Sequence, residues 1–154
     1  MFASIIDFAN LLFAALVVGA MFGVWLVFNP AGLDASFYIA LHQQGIRALN
    51  KRMPALGAAT ILLTIAAAAL GRANIMRFRL LVAAVVCFLA TGLITRFLNQ
   101  PINAIMISCS ASSPPSNWIE LRDKWWQWHL IRLATGLVGL SLLIAATLRR
   151  GWTG

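Results

Sequence analysis

A long stretch without charged residues dominates the amino-terminal part of the chain. No residue in the segment 8–33 is charged, and most of its side chains are apolar. A helix needs about 20 such residues to cross the hydrocarbon core of a bilayer. Three further uncharged runs follow, at residues 53–71, 80–95 and 133–148. The pattern therefore predicts four membrane-spanning helices.

The last two runs are short for a hydrocarbon core of about 30 Å. Arginines stand beside them, and such side chains reach the headgroups and lengthen a span. These arginines are Arg79, Arg96, Arg132 and Arg149. Beyond Arg96 the third run continues as mostly apolar sequence, and Pro101 predicts a kink near Phe97. We expect spans at about residues 5–28, 53–71, 79–107 and 129–148.

Composition supports a membrane protein with a single domain. The chain of 154 residues is 61% hydrophobic and 10% charged, whereas soluble domains carry about 25% charged residues. A soluble chain of this length could not bury so much apolar surface. The predicted fold is all-α, an integral membrane four-helix bundle. An amphipathic helix joins spans 1 and 2, and an aromatic helix leads into span 4.

The two long connections lie on the same side of the membrane in this arrangement. Residues 34–52 read as the amphipathic helix, and residues 118–131 as the aromatic helix that follows a Ser/Pro-rich loop. In the first of these, the apolar residues are Phe37, Leu41, Ile46 and Leu49, and the polar ones include His42, Gln43, Gln44, Arg47 and Asn50. His42 and His129 are therefore expected at the same membrane face.

The charge balance is basic, with 12 Lys+Arg against 4 Asp+Glu. The basic residues flank apolar runs and form no patch with exposed aromatics, so we expect lipid headgroups and no nucleic acid as partners. The side with the termini carries Arg72, Arg77, Arg79, Arg149 and Arg150. The positive-inside rule then predicts cytoplasmic termini, in a bacterial inner membrane.

Five residues near the fourth span share one helical face. Trp118, Arg122, Trp125, His129 and Arg132 follow at steps of four, three, four and three. The stripe continues through Gly136 and Gly139, where another helix can approach closely. An interfacial aromatic belt explains Trp126 and Trp128. It does not require an imidazole and a guanidinium one turn apart, so His129 and Arg132 are candidate functional residues.

Two further polar groups are candidates. Arg96, Asn99 and Asn103 share a helical face around Pro101. Their amides are expected either to cap carbonyls freed by the proline or to bind a polar substrate atom and orient His129. His42 and Asn50 on the connecting helix form the second group, which a headgroup-facing helix also explains.

The sequence offers little for metal or disulfide chemistry. It has no His-x-x-x-His or Glu-x-x-His pair, so no metal site is predicted. Axial ligation of a haem by His42 and His129 stays open. Cys87 and Cys109 are read as small apolar residues. The Gly19-x-x-x-Gly23 spacing is a helix-packing motif, and the glycine faces permit a homo-oligomer.

Two separated elements resemble a known family. They are Asn99-Gln100-Pro101-Ile102-Asn103 and, after a variable loop, Trp118, Trp125 and Trp128-His129-Leu130-Ile131-Arg132. The pattern resembles the anthrone oxygenase-like family of small four-helix membrane proteins, over nearly the whole chain. One departure is Arg47, where the family often has a glutamine.

The resemblance implies cofactor-independent oxygenation of a hydrophobic, phenolic substrate such as an anthrone, a monooxygenase reaction. In this hypothesis His129 is the base, and Arg132, Asn99 or Asn103 stabilises the enolate oxygen. Trp118 and Trp125 stack on the rings. Arg96, His42 and Asn50 complete the expected substrate pocket.

Two other classes of function remain open from the sequence. The first is a non-catalytic membrane protein that binds a lipid, a quinone or haem. The second is an accessory subunit of a membrane complex. Oxygen uptake with a phenolic ketone would indicate the enzyme, a co-purifying ligand without turnover the binder, and a retained partner the subunit.

Overall fold

The computed structural model describes residues 1–149, which are almost entirely helical and contain no strand. The elements are α1 (Phe2–Val27), a 3₁₀ turn (Pro30–Gly32), α2 (Ala35–Leu49), α3 (Arg52–Leu70), α4 (Ile75–Ile94), a π-helical turn (Thr95–Asn99), α5 (Gln100–Ser108) and α6 (Trp118–Leu148). The all-α prediction is confirmed.

Four long segments form the bundle. Helix α1 packs on α3, α3 on α4, α4 on α6, and α6 closes the ring on α1. The candidate spans by length and hydropathy are Phe2–Gly32, Arg52–Leu70, Ile75–Ser108 and Trp118–Leu148. Large apolar side chains on the outer surface, such as Phe8 and Leu62, are about two-thirds exposed. Such a surface suits lipid, and the chain is a membrane protein.

Helix α6 joins the aromatic segment and the fourth span without interruption. Its inward face carries Trp125, His129, Gly136 and Gly139, all buried. A Cβ atom added to Gly136 would lie 2.7 Å from Met21 Cε, and one added to Gly139 would lie 2.8 Å from Phe88 Cε1. The predicted close approach at these glycines is therefore present, toward α1 and α4.

The Gly19-x-x-x-Gly23 motif does not pack as predicted within the described part of the chain. Cβ atoms added to Gly19 or Gly23 would meet nothing within 4 Å. The physical reason is orientation, because the buried residues of α1, such as Ala14, Val18 and Met21, lie on a different face.

The third span continues past Arg96 through a π-helical turn at Thr95–Asn99, which ends just before Pro101. Proline lacks an N–H and crowds the carbonyl four residues earlier, so the wider turn accommodates it within a continuous helix. Asn99 lies in this turn and is fully buried.

Helix α2 begins at Asp34, whose carboxylate accepts a hydrogen bond from Phe37 N at 2.9 Å. The pattern of apolar and polar residues on α2 does not match the pattern of burial in the structure. Phe37 and Leu41 are 55% and 36% exposed, whereas His42 is 5% exposed. In a membrane protein an apolar face can meet lipid, so α2 turns its mixed face, with Tyr38, inward.

The end of the bundle opposite α2 holds a buried ion pair. Arg77 Nη2 donates to both carboxylate oxygens of Asp7, at 2.7 and 2.8 Å. The pair joins α1 to α4, which lie diagonally across the ring. Because Asp7 neutralises its charge, Arg77 contributes less to the positive charge that was used to predict the orientation in the membrane. Arg150, also counted there, lies outside the described residues.

Candidate functional site

A cavity of about 1070 Å³ lies inside the bundle near α2. Residues of all six α-helices line it, together with the π-helical turn before α5. Much of its wall is apolar, as at Val17, Met21 and Phe88. Six predicted site residues line it: His42, Asn50, Arg96, Asn103, Trp125 and Arg132. Asn99, Trp118 and His129 are not part of its wall.

A chain of hydrogen bonds crosses three helices at the polar end of the cavity. The Tyr38 hydroxyl and His42 Nδ1 are 2.7 Å apart, and His42 Nε2 and Asn103 Oδ1 are 3.0 Å apart. Trp125 Nε1 donates to the same Asn103 oxygen at 2.8 Å. Helices α2, α5 and α6 are joined by this network.

The indole fixes the direction of every bond in the chain. An indole N–H is only a donor, so the Asn103 atom it contacts must be the carbonyl oxygen. His42 Nε2, facing the same oxygen, must then carry a hydrogen. A neutral imidazole has one such hydrogen, so Nδ1 is the acceptor and the Tyr38 hydroxyl donates to it.

The protonation states agree with these directions. Burial lowers the pKa of His42, against a smaller opposing effect of the bond to Asn103. The imidazole is therefore neutral at neutral pH. Burial also raises the pKa of the Tyr38 phenol above its usual value, so the hydroxyl keeps its proton.

A second group joins His129 to Arg132. Arg132 Nη2 lies 2.7 Å from His129 Nδ1. Because guanidinium only donates, the imidazole nitrogen accepts and its lone pair is occupied. His129 is fully buried and stacks parallel to Trp125, with ring centroids 5.3 Å apart. Trp126 stacks on it at 5.4 Å.

The cavity wall has two arginines that have no carboxylate partner in the described part of the chain. Neither Arg96 nor Arg132 forms an ion pair within residues 1–149. Arg132 Nη1 makes a long contact of 3.5 Å to Thr95 Oγ1, and its buried Nε has no hydrogen-bond partner among the described residues. The wall can therefore bind an anionic oxygen.

Asn50 lies at the C-terminal end of α2, where its Oδ1 accepts a hydrogen bond from Gln100 Nε2 at 2.6 Å. Both residues line the cavity. Asn99 instead donates to the Trp125 backbone carbonyl at 3.1 Å. It thus ties the π-helical turn to α6, and does not cap a carbonyl of its own helix.

Trp118 packs away from the cavity. Its ring contacts Tyr38 at a centroid distance of 6.0 Å, and the Arg122 guanidinium lies 5.2 Å from its centroid. Trp118 therefore packs against Tyr38, at the end of the hydrogen-bonded chain that is away from the cavity.

A family model described as anthrone oxygenase matches residues 43–142. The match spans more than half of the chain and includes both elements that suggested the resemblance. The chain belongs to the anthrone oxygenase family. Searches of curated proteins and of solved structures each found no match. The matched range of this anthrone oxygenase family member contains Asn103, Trp125, His129 and Arg132, and it starts one residue after His42.

The arrangement of the two histidines does not fit a haem held between them. Both ring nitrogens of His42 and the Nδ1 of His129 are engaged in hydrogen bonds. The Trp125 indole contacts both imidazoles, at centroid distances of 4.6 and 5.3 Å. Residues 1–149 also contain no cluster of three His, Cys, Asp or Glu side chains suited to a metal ion.

Sequence reasoning missed Tyr38, Thr95 and Gln100. Tyr38 is the only tyrosine in the chain and stands four residues before His42. That spacing places the two side chains on one helical face, and it was the available signal. Gln100 and Thr95 contact residues distant in sequence, so no local pattern marks them.

Proposed function

We propose that this protein is a membrane-embedded, cofactor-independent oxygenase acting on a hydrophobic phenolic ketone of the anthrone type. One observation carries the proposal: the largely apolar cavity has Arg96 and Arg132 on its wall, and neither has a carboxylate partner among residues 1–149. A flat apolar molecule that becomes an anion during reaction suits such a site. Membership of the anthrone oxygenase family supports the same chemistry.

Arg132 is the proposed stabiliser of the developing anion. An anthrone loses a proton from its central carbon, and the negative charge moves to the ketone oxygen. A guanidinium in a largely apolar cavity favours that charge more strongly than water-exposed arginine does. Arg96 adds to the positive potential, and Trp125 also lines the cavity.

His129 is the proposed base, although its ring lies behind the cavity wall and Arg132 covers its lone pair in the ligand-free arrangement, so Nδ1 reaches a substrate only after Arg132 moves. A substrate oxygen competes with His129 Nδ1 for the guanidinium. Once Arg132 binds that oxygen, Nδ1 is free to accept the proton. Catalytic hydrogen bonds often change in this way when substrate binds.

The overall step is balanced without a cofactor. The substrate anion gives an electron to dioxygen, and the two radicals combine to form a carbon–oxygen bond. Proton return from His129 gives a hydroperoxide, which loses water as the second carbonyl forms. One anthrone and one dioxygen thus yield one anthraquinone and one water.

Substitution of Arg132 tests the site. We expect Arg132→Gln to lower kcat for oxidation of a dihydroxyanthrone about 100-fold or more, as loss of an oxyanion donor does. Arg79→Gln is the matched control, since Arg79 is an exposed arginine near the other end of the bundle. Oxygen uptake in mild detergent, corrected for oxidation without protein, is the measurement. Wild-type turnover in Arg132→Gln would contradict the role of Arg132 as the stabiliser of the anion. Wild-type turnover in His129→Ala would show that His129 is not the base.

A second candidate function is the binding of a quinone or lipid without turnover. The cavity volume of about 1070 Å³ slightly exceeds the usual range for small-molecule sites, about 300–1,000 Å³. It therefore has room for a ring system with an attached alkyl chain. A ligand retained through purification, with no oxygen uptake, would favour this function.

We also propose cytoplasmic termini in a bacterial inner membrane, which places the cavity near the opposite membrane face. The support is the arginine bias at the short connection, where Arg72 and Arg79 are exposed. A reporter fused to the carboxyl terminus that is active only outside the cytoplasm is expected to stay inactive. An active reporter would show that the carboxyl terminus lies outside the cytoplasm and would contradict the proposed orientation.

A further inference from the structure

Asn103 has one amide atom without a hydrogen bond to any of the residues that the structure describes. Its Oδ1 accepts from both His42 and Trp125. Its Nδ2 makes no hydrogen bond within the described residues, and the residue lines the cavity. The unused atom is a donor with two hydrogens, suited to an uncharged oxygen such as a carbonyl.

The orientation of that amide depends on the residues behind it. Trp125 requires an acceptor, and so does His42 as long as its hydrogen stays on Nε2. The Tyr38 hydroxyl keeps the hydrogen there by donating to Nδ1, at 2.7 Å. Without that donor, His42 can carry its hydrogen on Nδ1, and its Nε2 then competes for the Asn103 amide N–H.

We propose that Tyr38 is a positioning residue that acts through His42 to keep the Asn103 Nδ2 amide turned toward the cavity, as the donor to a second oxygen of the bound ligand, a hydroxyl of an anthrone or a second carbonyl of a quinone. The inference rests on the proposed function, since it assumes an aromatic ketone or quinone in the cavity. Tyr38 itself is fully buried and does not line the cavity. Its effect on a ligand must therefore pass through the hydrogen-bonded chain.

Arg132 and Asn103 then have separate tasks. The guanidinium binds the oxygen that becomes negative, and the amide binds a second oxygen that stays neutral. A flat ligand held at two oxygens has a fixed orientation, whereas one ionic contact would allow it to rotate. The site therefore selects aromatic ligands with at least two oxygen substituents.

The test uses a hydroxylated anthraquinone, which binds without turnover. Infrared spectroscopy of the bound ligand measures its carbonyl stretching frequency, which a hydrogen-bond donor lowers. We expect a lowered band in wild-type protein and a shift toward the free-ligand value in both Tyr38→Phe and Asn103→Leu. Affinity is expected to fall about fivefold in each variant, as loss of one hydrogen bond of typical net strength gives.

The double variant separates positioning from a general structural effect. If Tyr38 acts through Asn103, adding Tyr38→Phe to Asn103→Leu changes neither the band nor the affinity further. An additional loss equal to that of Tyr38→Phe alone would overturn the proposal. A carbonyl band in Tyr38→Phe at the same frequency as in wild-type protein would also overturn the proposal. So would a wild-type protein that does not bind the anthraquinone.

Failure of this inference is distinguishable from failure of the proposed function. A protein that binds the anthraquinone with the expected band, yet consumes no oxygen with an anthrone, contradicts the oxygenase and leaves the positioning role intact. Normal turnover in Tyr38→Phe, with the same carbonyl band as in wild-type protein, contradicts the positioning role and leaves the oxygenase intact.

Discussion

His42 lies outside the four apolar spans and is nevertheless buried among aromatic rings. Phe28, Tyr38 and Trp125 all contact its imidazole. Its neutral form is what the hydrogen-bonded chain requires. A proton added to His42 would reverse the bond to Tyr38, so this residue links the structure of the site to pH.

The pH dependence of stability follows from this burial. The folded pKa of His42 is lowered, whereas an unfolded histidine titrates near about 6.5. The unfolded state therefore binds more protons as pH falls, so stability is complete above about pH 6.5 and is lost below it, by at most about 1.4 kcal/mol per pH unit. We expect the melting temperature in mild detergent to fall between about pH 7 and pH 5, and to fall less in His42→Gln. Equal slopes in the two proteins would contradict the assignment to His42.

At the scale of helices, α6 brings the site and the bundle together. Its two buried glycines meet different neighbours. Gly136 faces the flexible end of Met21, whereas Gly139 faces the rigid ring of Phe88 and the Cβ of Cys87. An added methyl group is therefore accommodated more easily at Gly136.

This difference predicts an order of stability. We expect Gly139→Ala to destabilise the protein by about 1–3 kcal/mol, the usual cost of overpacking. Gly136→Ala is expected to cost less. Gly19→Ala is the control, because an added Cβ there meets nothing within 4 Å. Melting temperatures in mild detergent give the order, and a Gly139→Ala protein as stable as Gly19→Ala would contradict the packing of α4 on α6.

Helix faces were predictable from the sequence to different degrees. The stripe on α6 was predicted correctly, because bulky aromatic, cationic and glycine residues recur at helical spacing and glycine has a steric use. The inward face of α2 was not predictable, because lipid and protein both accept apolar side chains such as Phe37. The turn before Pro101 was expected as a kink, and the structure widens it into a π-helical turn.

For the whole molecule, the sequence predicted the membrane bundle and the end at which the polar residues gather. Runs of uncharged residues are local, so they can be counted along the chain. A pocket was expected from the sequence, but its size and the diagonal pair of Asp7 and Arg77 could not be predicted, since they depend on which helices face each other across the ring. Tyr38, by contrast, lies one turn before His42 on α2, so its contact with His42 was within reach of the local sequence pattern.

We propose that this anthrone oxygenase family member oxidises a phenolic ketone in its cavity without a cofactor. The most direct measurement is oxygen uptake by chelator-treated, haem-free protein given a dihydroxyanthrone and isotopically labelled dioxygen. We expect one dioxygen to be consumed per anthrone and one labelled oxygen atom to appear in the anthraquinone. The rate of oxygen uptake is expected to be well above that of Arg132→Gln. Uptake no faster than that of Arg132→Gln, with a quinone or lipid retained by the protein, would contradict the proposal.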